Sequence, residues 1–324
     1  MKPILSVIVP CYNAGAFLVQ CCDSILSGHL PDIELILVDD GSTDGSDLLI
    51  AEIASQHPTR VKTIRQKNAG PGAARNQGLD IATGKYVTFV DADDYVGTNY
   101  LLDRANAAER ENLDIAVGGH VRVHETGPSE HKLALAGFVG QVVSGSQFID
   151  LSIKAGGLPQ MVVLYLYRRN FLETNALRFL PLRMHEDTDF VFRSFALAVR
   201  VSQVENSEYH YRYNAQSLTN SAQKLTELTT SLETCTSLRD FLSNHTVDDV
   251  ARRAITKKIA AIYLRVARES RQILSKNERS AIFDQLKQLS AGHFLWLNGS
   301  RATHRLRGLL LSCSPRVYVA LMRK

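Results

Sequence analysis

The feature that most restricts this chain is a rhythm in its first hundred residues. Short apolar runs of strand length, Leu5–Val9, Glu34–Val38, Val61–Arg65 and Tyr86–Val90, alternate with segments of helical periodicity. Ala14–Leu26 carries Phe17, Leu18, Cys21, Cys22 and Ile25 at helical spacing. Ser42-Thr43-Asp44 offers N-caps for a second helix running to about Ala54, and Gly72–Ala82 forms a third. This alternation predicts an α/β domain on a mixed, mostly parallel sheet.

In open parallel sheets, ligands bind at the carboxyl ends of the strands. Those ends read Pro10-Cys11-Tyr12-Asn13, Asp39-Asp40-Gly41-Ser42-Thr43-Asp44, Lys67-Asn68-Ala69-Gly70-Pro71-Gly72 and Asp91-Ala92-Asp93-Asp94. Clustered carboxylates repel one another unless a cation sits among them. Asp91-Ala92-Asp93-Asp94 supplies hard oxygens suited to Mg²⁺ or Mn²⁺. Such an ion takes one or two protein carboxylates and fills its other positions with water and substrate phosphates, so a nucleoside diphosphate is the natural guest. Alone, this tetrapeptide is more often a solvated turn; two acidic strand ends favour a site. Gly70-Pro71-Gly72 reads equally as a phosphate-cradling loop or as a tight turn with proline near a helix start.

Beyond Asp94 the rhythm loosens. Helices are expected at Tyr100–Glu111, Ser146–Lys154 and Asp187–Val199, and extended chain at Ile115–Val123, Met161–Tyr167 and Glu208–Tyr213. Glu125–Lys132 reads as a polar loop, and from Leu225 the chain reads as helical. His120 and His124, four apart on a strand, make a poor metal pair and read as surface or core histidines.

The four strand-end motifs, Val7 to Asn13, Val38 to Asp44, Asn68 to Gly78 (with Ala74-Arg75-Asn76-Gln77-Gly78) and Phe89 to Asp94, resemble in order the motif series of family 2 inverting glycosyltransferases with the GT-A fold. The resemblance covers roughly residues 4–215. It implies a GT-A (Rossmann-like) nucleotide-sugar-binding domain at 1–220 and a helical C-terminal region at 221–324. It implies that Tyr12 and Asp40 contact the nucleobase, Asp91 approaches the ribose and Asp93 binds the metal, with Pro10 and Ala92 also among the nucleotide-binding residues. Gly70 and Arg75 would line the nucleotide pocket. The family's catalytic base falls on the Glu186-Asp187 pair, with Asp187 chosen; without the upstream motifs the pair would read as an acidic helix N-terminus. Tyr209-His210-Tyr211-Arg212-Tyr213 is similar to the segment that closes the family's fold. It is either an amphipathic aromatic strand or one whose His210 or Arg212 reaches the diphosphate.

The implied activity is inverting transfer of a hexose or N-acetylhexosamine from a UDP-sugar, with Mn²⁺ or Mg²⁺. The acceptor would be a saccharide or lipid-linked saccharide, as in bacterial surface-polysaccharide assembly. Two rivals stand beside it. A sugar-nucleotide pyrophosphorylase should carry a Gly-rich, Arg-containing loop where this chain has Pro-Cys-Tyr-Asn. A non-catalytic nucleotide-sugar-binding protein should lack the acidic site residues.

Five scattered cysteines without a Cys-x-x-Cys pair fit a reducing compartment. Neither a signal-peptide core nor an apolar stretch of about 20 residues occurs, so a cytoplasmic protein without a span is expected. The formal charge of +4 divides unevenly: Ala222–Lys324 holds 18 Lys+Arg against 8 Asp+Glu, and the front part is acidic. Basic residues from Arg252 to Arg271 interleave with Ile255, Ile259, Ile262, Tyr263 and Val266 as an amphipathic helix. This describes either a packed helix with a solvated cationic face or a helix on an anionic membrane, and for the last twenty residues the membrane is favoured. No nucleic-acid motif is present, and no nucleic-acid partner is expected.

Overall fold

A computed structural model of the chain describes residues 2–123, 130–132, 135–182, 184–205, 208–212, 224–273, 275–298, 303–305 and 308. It divides into two compact units, Met1–Ala215 and Gln216–Lys324. In the first, β1 (Leu5–Cys11) and β2 (Ile33–Asp39) pair in parallel and are almost wholly buried. Burial on both faces explains why they read as continuous apolar runs. Between and after them lie α1 (Phe17–Leu26), α2 (Ser46–Gln56), the edge strand β3 (Val61–Arg65), α3 (Pro71–Ile81) and β4 (Tyr86–Phe89). The later elements are β5 (Tyr95–Val96), α4 (Tyr100–Arg110), β6 (Ile115–Val117), β7 (His120–Val123), β8 (Glu130–Lys132), α5 (Gly145–Lys154), β9 (Tyr165–Arg168), α6 (Arg169–Thr174), α7 (Glu186–Leu197), β10 (Val201–Gln203) and β11 (Tyr209–Arg212).

The main sheet runs β10-β6-β9-β4-β1-β2-β3. Only β9 runs against its neighbours, so the sheet is mixed and mostly parallel. A second sheet, β5-β11-β7-β8, begins immediately after the Asp91–Asp94 motif.

Several expectations need correction. Residues 115–123 form two strands in different sheets, because Gly118 lies against Tyr100 so closely that a Cβ would sit 2.6 Å from its hydroxyl. Glu130–Lys132 pairs with β7 and is a strand rather than loop. The 161–167 stretch is a short 3-10 turn, Val162–Leu164, before β9 begins. The second helix starts at Ser46 after Gly45; Asp44 Oδ1 accepts the Ser46 N–H at 3.0 Å, while Asp44 Oδ2 and Ser42 Oγ accept N–H groups of the loop after β1. α7 ends at Leu197, and the three-residue β10 follows.

The second unit contains α8 (Lys224–Asn244), α9 (Asp249–Ile273), α10 (Lys276–Gln288) and α11 (Ala291–Asn298). Leu228, Leu232, Cys235 and Leu238 of α8 and Ile282, Phe283 and Leu286 of α10 are buried, at i+3 and i+4 spacings. So are Ile255, Ile259, Ile262, Tyr263 and Val266 of α9. The apolar stripe of that basic helix is therefore buried in packing. Arg265 and Lys224 pair with Glu227, at 2.7 Å each. No helix among the described residues is long and apolar enough to cross a membrane. Of the last twenty residues, favoured above for membrane binding, 306–307 and 309–324 lie outside the described residues, as does His124.

Candidate active site

The loops at the carboxyl edge of β1, β2 and β3 are fixed by one another. Asp39 Oδ1 accepts the Ser42 N–H at 2.8 Å. Asp40, 3% exposed, accepts from Gln66 Nε2 at 2.6 Å and from the Ala69 and Gly70 N–H groups at 2.8 Å each. A buried carboxylate is stable when donors saturate it in this way. Across the edge, Ser46 Oγ accepts the Ala14 and Gly15 N–H groups, both at 3.0 Å. Asn13, in the left-handed region at φ 51°, accepts the Thr43 N–H at 2.9 Å. Tyr12 projects beside it, 46% exposed, while Pro10 remains within β1.

The centre of the site is Arg75, on the second turn of α3. Its side chain is 4% exposed and meets three carboxylates: Glu186 Oε1 at 2.6 Å, Asp91 Oδ1 at 2.9 Å and Asp187 Oδ1 at 3.0 Å. Burial works against the guanidinium's charge, but Asp187, Asp91 and Glu186 more than compensate and hold its proton firmly. The close approach that permits this depends on Gly72. A Cβ there would lie 2.3 Å from the Leu180 carbonyl and 3.3 Å from the Glu186 side chain. Asn76, next to Arg75, fixes the same segment by a pair of bonds to the Phe179 backbone at 2.8 and 2.9 Å.

α7 begins with His185 at φ 66°, a conformation costly for a residue with a Cβ, followed at once by Glu186 and Asp187. The two carboxylates differ in access: the Glu186 side chain is 8% exposed and that of Asp187 24%. Asp187 Oδ2 also accepts the Val162 N–H at 3.1 Å. Burial drives its carboxyl well above the ordinary carboxylate range, opposed by Arg75 and reinforced by Glu186 and Asp91. Glu186 was not among the selected site residues. The acidic pair was visible in sequence, but its division into a buried Arg75 anchor and a more open partner was not.

The Asp91–Asp94 turn is also divided. Asp94 is buried and accepts from the Tyr209 hydroxyl at 2.7 Å and the Arg212 N–H at 2.8 Å. The same hydroxyl accepts the Asp91 N–H at 3.2 Å. Tyr209 thus ties the turn to β11, a role its place in an alternating aromatic strand did not reveal. Burial, with Asp91 and Asp93 nearby, raises the Asp94 carboxyl. Asp93 is pushed up to about 6 by burial and then by Asp91. Ala92 is buried between them. Arg212 donates to the Asp93 carbonyl at 3.0 Å and lies over the rings of Tyr95 and Phe17, 4.7 and 5.1 Å from their centroids. His210 stacks on Tyr95 with centroids 4.4 Å apart.

The structure thus joins Arg75, Asp91 and Asp187 directly and places Arg212 against Asp93. Asp40 and Gly70 instead bond to each other in the neighbouring loop clamp. Among the described residues no three His, Cys, Asp or Glu side chains converge into a metal-holding group.

The first unit is thus an α/β architecture on two sheets, with an acidic turn after β4 and an acid pair opening a later helix. A family model described as Glycosyl transferase family 2 matches residues 6–197, and the chain belongs to that family. The Bacillus subtilis protein named "Uncharacterized glycosyltransferase EpsJ" is 35% identical over 238 residues, 68% of this chain and 64% of that protein. The match therefore spans somewhat less than two thirds of that relative. Among solved structures, S. aureus TarS 1-349 in complex with UDP-GlcNAc has a TM-score of 0.72 at 21% identity, covering 98% of this chain and 92% of the other. Mannosyltransferase PcManGT from Pyrobaculum calidifontis, in complex with GDP-Man and Mn²⁺, has a TM-score of 0.56 at 15% identity, over 99% and 87% of the two chains. The fold is GT-A.

Proposed function

We propose that the protein is an inverting glycosyltransferase that moves a hexose or N-acetylhexosamine from a UDP-sugar to a saccharide or lipid-linked saccharide, as in surface-polysaccharide assembly. The observation that carries this reading is the single guanidinium of Arg75 held between Asp91 of the donor motif and Asp187 of the later helix, at 2.9 and 3.0 Å. Two motifs far apart in sequence meet there, as donor and acceptor must. TarS was captured with UDP-GlcNAc and PcManGT with GDP-Man, which supports a nucleotide-sugar donor.

Asp187 is the base. Its raised proton affinity suits it to take a proton from an acceptor hydroxyl, and its greater exposure favours it over Glu186. Direct attack on the anomeric carbon with such a base inverts that centre. Arg75 positions Asp187, and the Val162 N–H fixes its second oxygen. Tyr12 and the loop clamped by Asp40 frame the nucleobase, and Asp91 the ribose.

The donor set also fits Mn²⁺ or Mg²⁺. Asp93 is a hard oxygen donor already destabilised by burial and then by a neighbouring carboxylate, and one protein carboxylate is enough when phosphates complete the sphere. A bound metal would neutralise diphosphate charge; Asp93 would hold it, and Arg212 would face the same anion.

Calorimetry with a panel of nucleotides and nucleotide sugars, with and without Mn²⁺, tests this reading. Metal-dependent UDP binding that weakens in Asp93→Ala is expected. Absence of nucleoside diphosphate binding in either state would remove the reading and favour a non-enzymatic role.

A further inference from the structure

The helical unit carries a groove lined by none of the candidate active-site residues. α8, α9 and α11 enclose a cavity of ≈ 600 Å³ whose lining includes Arg239, Arg252, Arg253 and Lys257. No aspartate or glutamate lines it among the described residues. Elsewhere in the same unit cations are neutralised: Lys224 and Arg265 share Glu227 and Glu269. Arg253 and Lys257 are exposed and four apart on α9, so two like charges share one helical face without a lining acid between them. Arg239 is held in place, donating to the Leu289 carbonyl at 2.5 Å with its guanidinium 5.5 Å from the Phe294 ring centroid. Such a groove is complementary to phosphate.

Apolar Phe294 and Leu297 of α11 also line it, with Asn298 and Arg305 beside them. Leu297 of α11 lines the cavity yet is 60% exposed, and the adjacent Trp296 is 47% exposed. Cationic side chains beside an exposed tryptophan and leucine match the two layers of a bilayer surface, with phosphate outside and acyl chain beneath.

We propose that this groove seats the phosphate headgroup of an anionic membrane lipid, with Arg252, Arg253 and Lys257 on the phosphate and Trp296 and Leu297 at the acyl boundary. Membrane attachment then belongs to the α9–α11 groove and not to the apolar stripe of α9.

Trp296 is the single tryptophan of the chain, so its emission reports on this helix alone. The test adds phosphatidylglycerol vesicles, phosphatidylcholine vesicles or soluble inorganic polyphosphate to the full chain, reading Trp296 emission and co-sedimentation. A blue shift with phosphatidylglycerol only is expected. Each basic residue near an anionic surface contributes roughly a fivefold factor, so Arg253→Glu with Lys257→Glu should weaken vesicle binding about twentyfold or more. The control pair Arg268→Glu with Lys276→Glu, exposed and outside the lining, makes the same change in net charge and should weaken it far less. UDP affinity should be unchanged in both pairs, which separates this site from the transferase reading, and unchanged thermal melting shows that they fold. Equal losses in the two pairs, no blue shift with phosphatidylglycerol, or a polyphosphate interaction equal to that with vesicles would each overturn the proposal.

Discussion

The chain has two acidic strand ends of nearly the same composition, and folding treats them oppositely. After β2, Asp39 and Asp40 are absorbed: Asp40 takes three N–H donors and Asp39 takes one, with Arg65 Nε at 3.2 Å from its other oxygen. After β4, Asp93 and Asp94 are buried beside Asp91, and burial first, then that crowding, makes both bind protons more tightly than ordinary carboxylates. A carboxylate saturated with donors is scaffold, because its charge is already stabilised. Carboxylates left in mutual repulsion have unfavourable energy that a cation or proton can relieve, and that imbalance is available for chemistry.

The contrast is steepest at Asp187. Asp187→Asn should lower turnover roughly 10²- to 10⁴-fold, the usual loss of a general base, while UDP affinity measured by calorimetry stays within about threefold. A parallel loss of UDP binding would place Asp187 in the donor site instead.

Arg75 is the next largest. Arg75→Ala leaves Glu186, Asp187 and Asp91 without their shared cation and should cost about 3–5 kcal/mol in urea unfolding at pH 7. Arg75→Lys keeps the charge but loses the fork, and should fall between. Equal stability of Arg75→Ala and the parent protein would mean the three carboxylates find another partner.

Asp40→Ala should cost about 1–3 kcal/mol by stranding the Gln66, Ala69 and Gly70 donors. Asp93→Asn should do the reverse. The Asp93 pKa of about 6 lies above its unfolded value, so its contribution to stability is complete below about pH 4 and lost as pH rises through 6. Removing that charge should therefore stabilise the metal-free protein by about 1–2 kcal/mol at pH 8, allowing for partial solvent screening, and hardly at all at pH 4. Thermal melts at the two pH values decide it; destabilisation at pH 8 would class Asp93 with Asp40.

Much of the first unit was legible because burial on both faces forces β1, β2 and β4 to be apolar along their length. What escaped was short or composite. Val201–Gln203 is three residues with a polar centre, held as a strand by pairing with β6 and by bridges to Val139 and Val143. Glu130–Lys132 is polar throughout, and its pairing with β7 carries no sequence pattern. At the site, the residue types and their order were readable from the strand ends. The function of Arg75 as a hub was not, since its partners arrive from three separate segments and only the packing permitted by Gly72 brings them within reach. Likewise, the basic spacing of α9 looked uniform, but folding neutralises Arg265 and leaves Arg253 and Lys257 in a groove.

The reversed direction of β9 has a consequence for how such an enzyme can diversify. Its neighbours deliver the segments that leave the sheet to the working edge, whereas β9 delivers the segment that enters it. That incoming segment supplies the Val162 N–H to Asp187 and the Gln160 side chain to Thr188. On the proposed function, outgoing chain would build the half of the cleft that meets the donor, and incoming chain would brace the half that meets the acceptor. The two halves can change length and composition separately, so a new acceptor can be accommodated on one side without disturbing the nucleotide grip on the other.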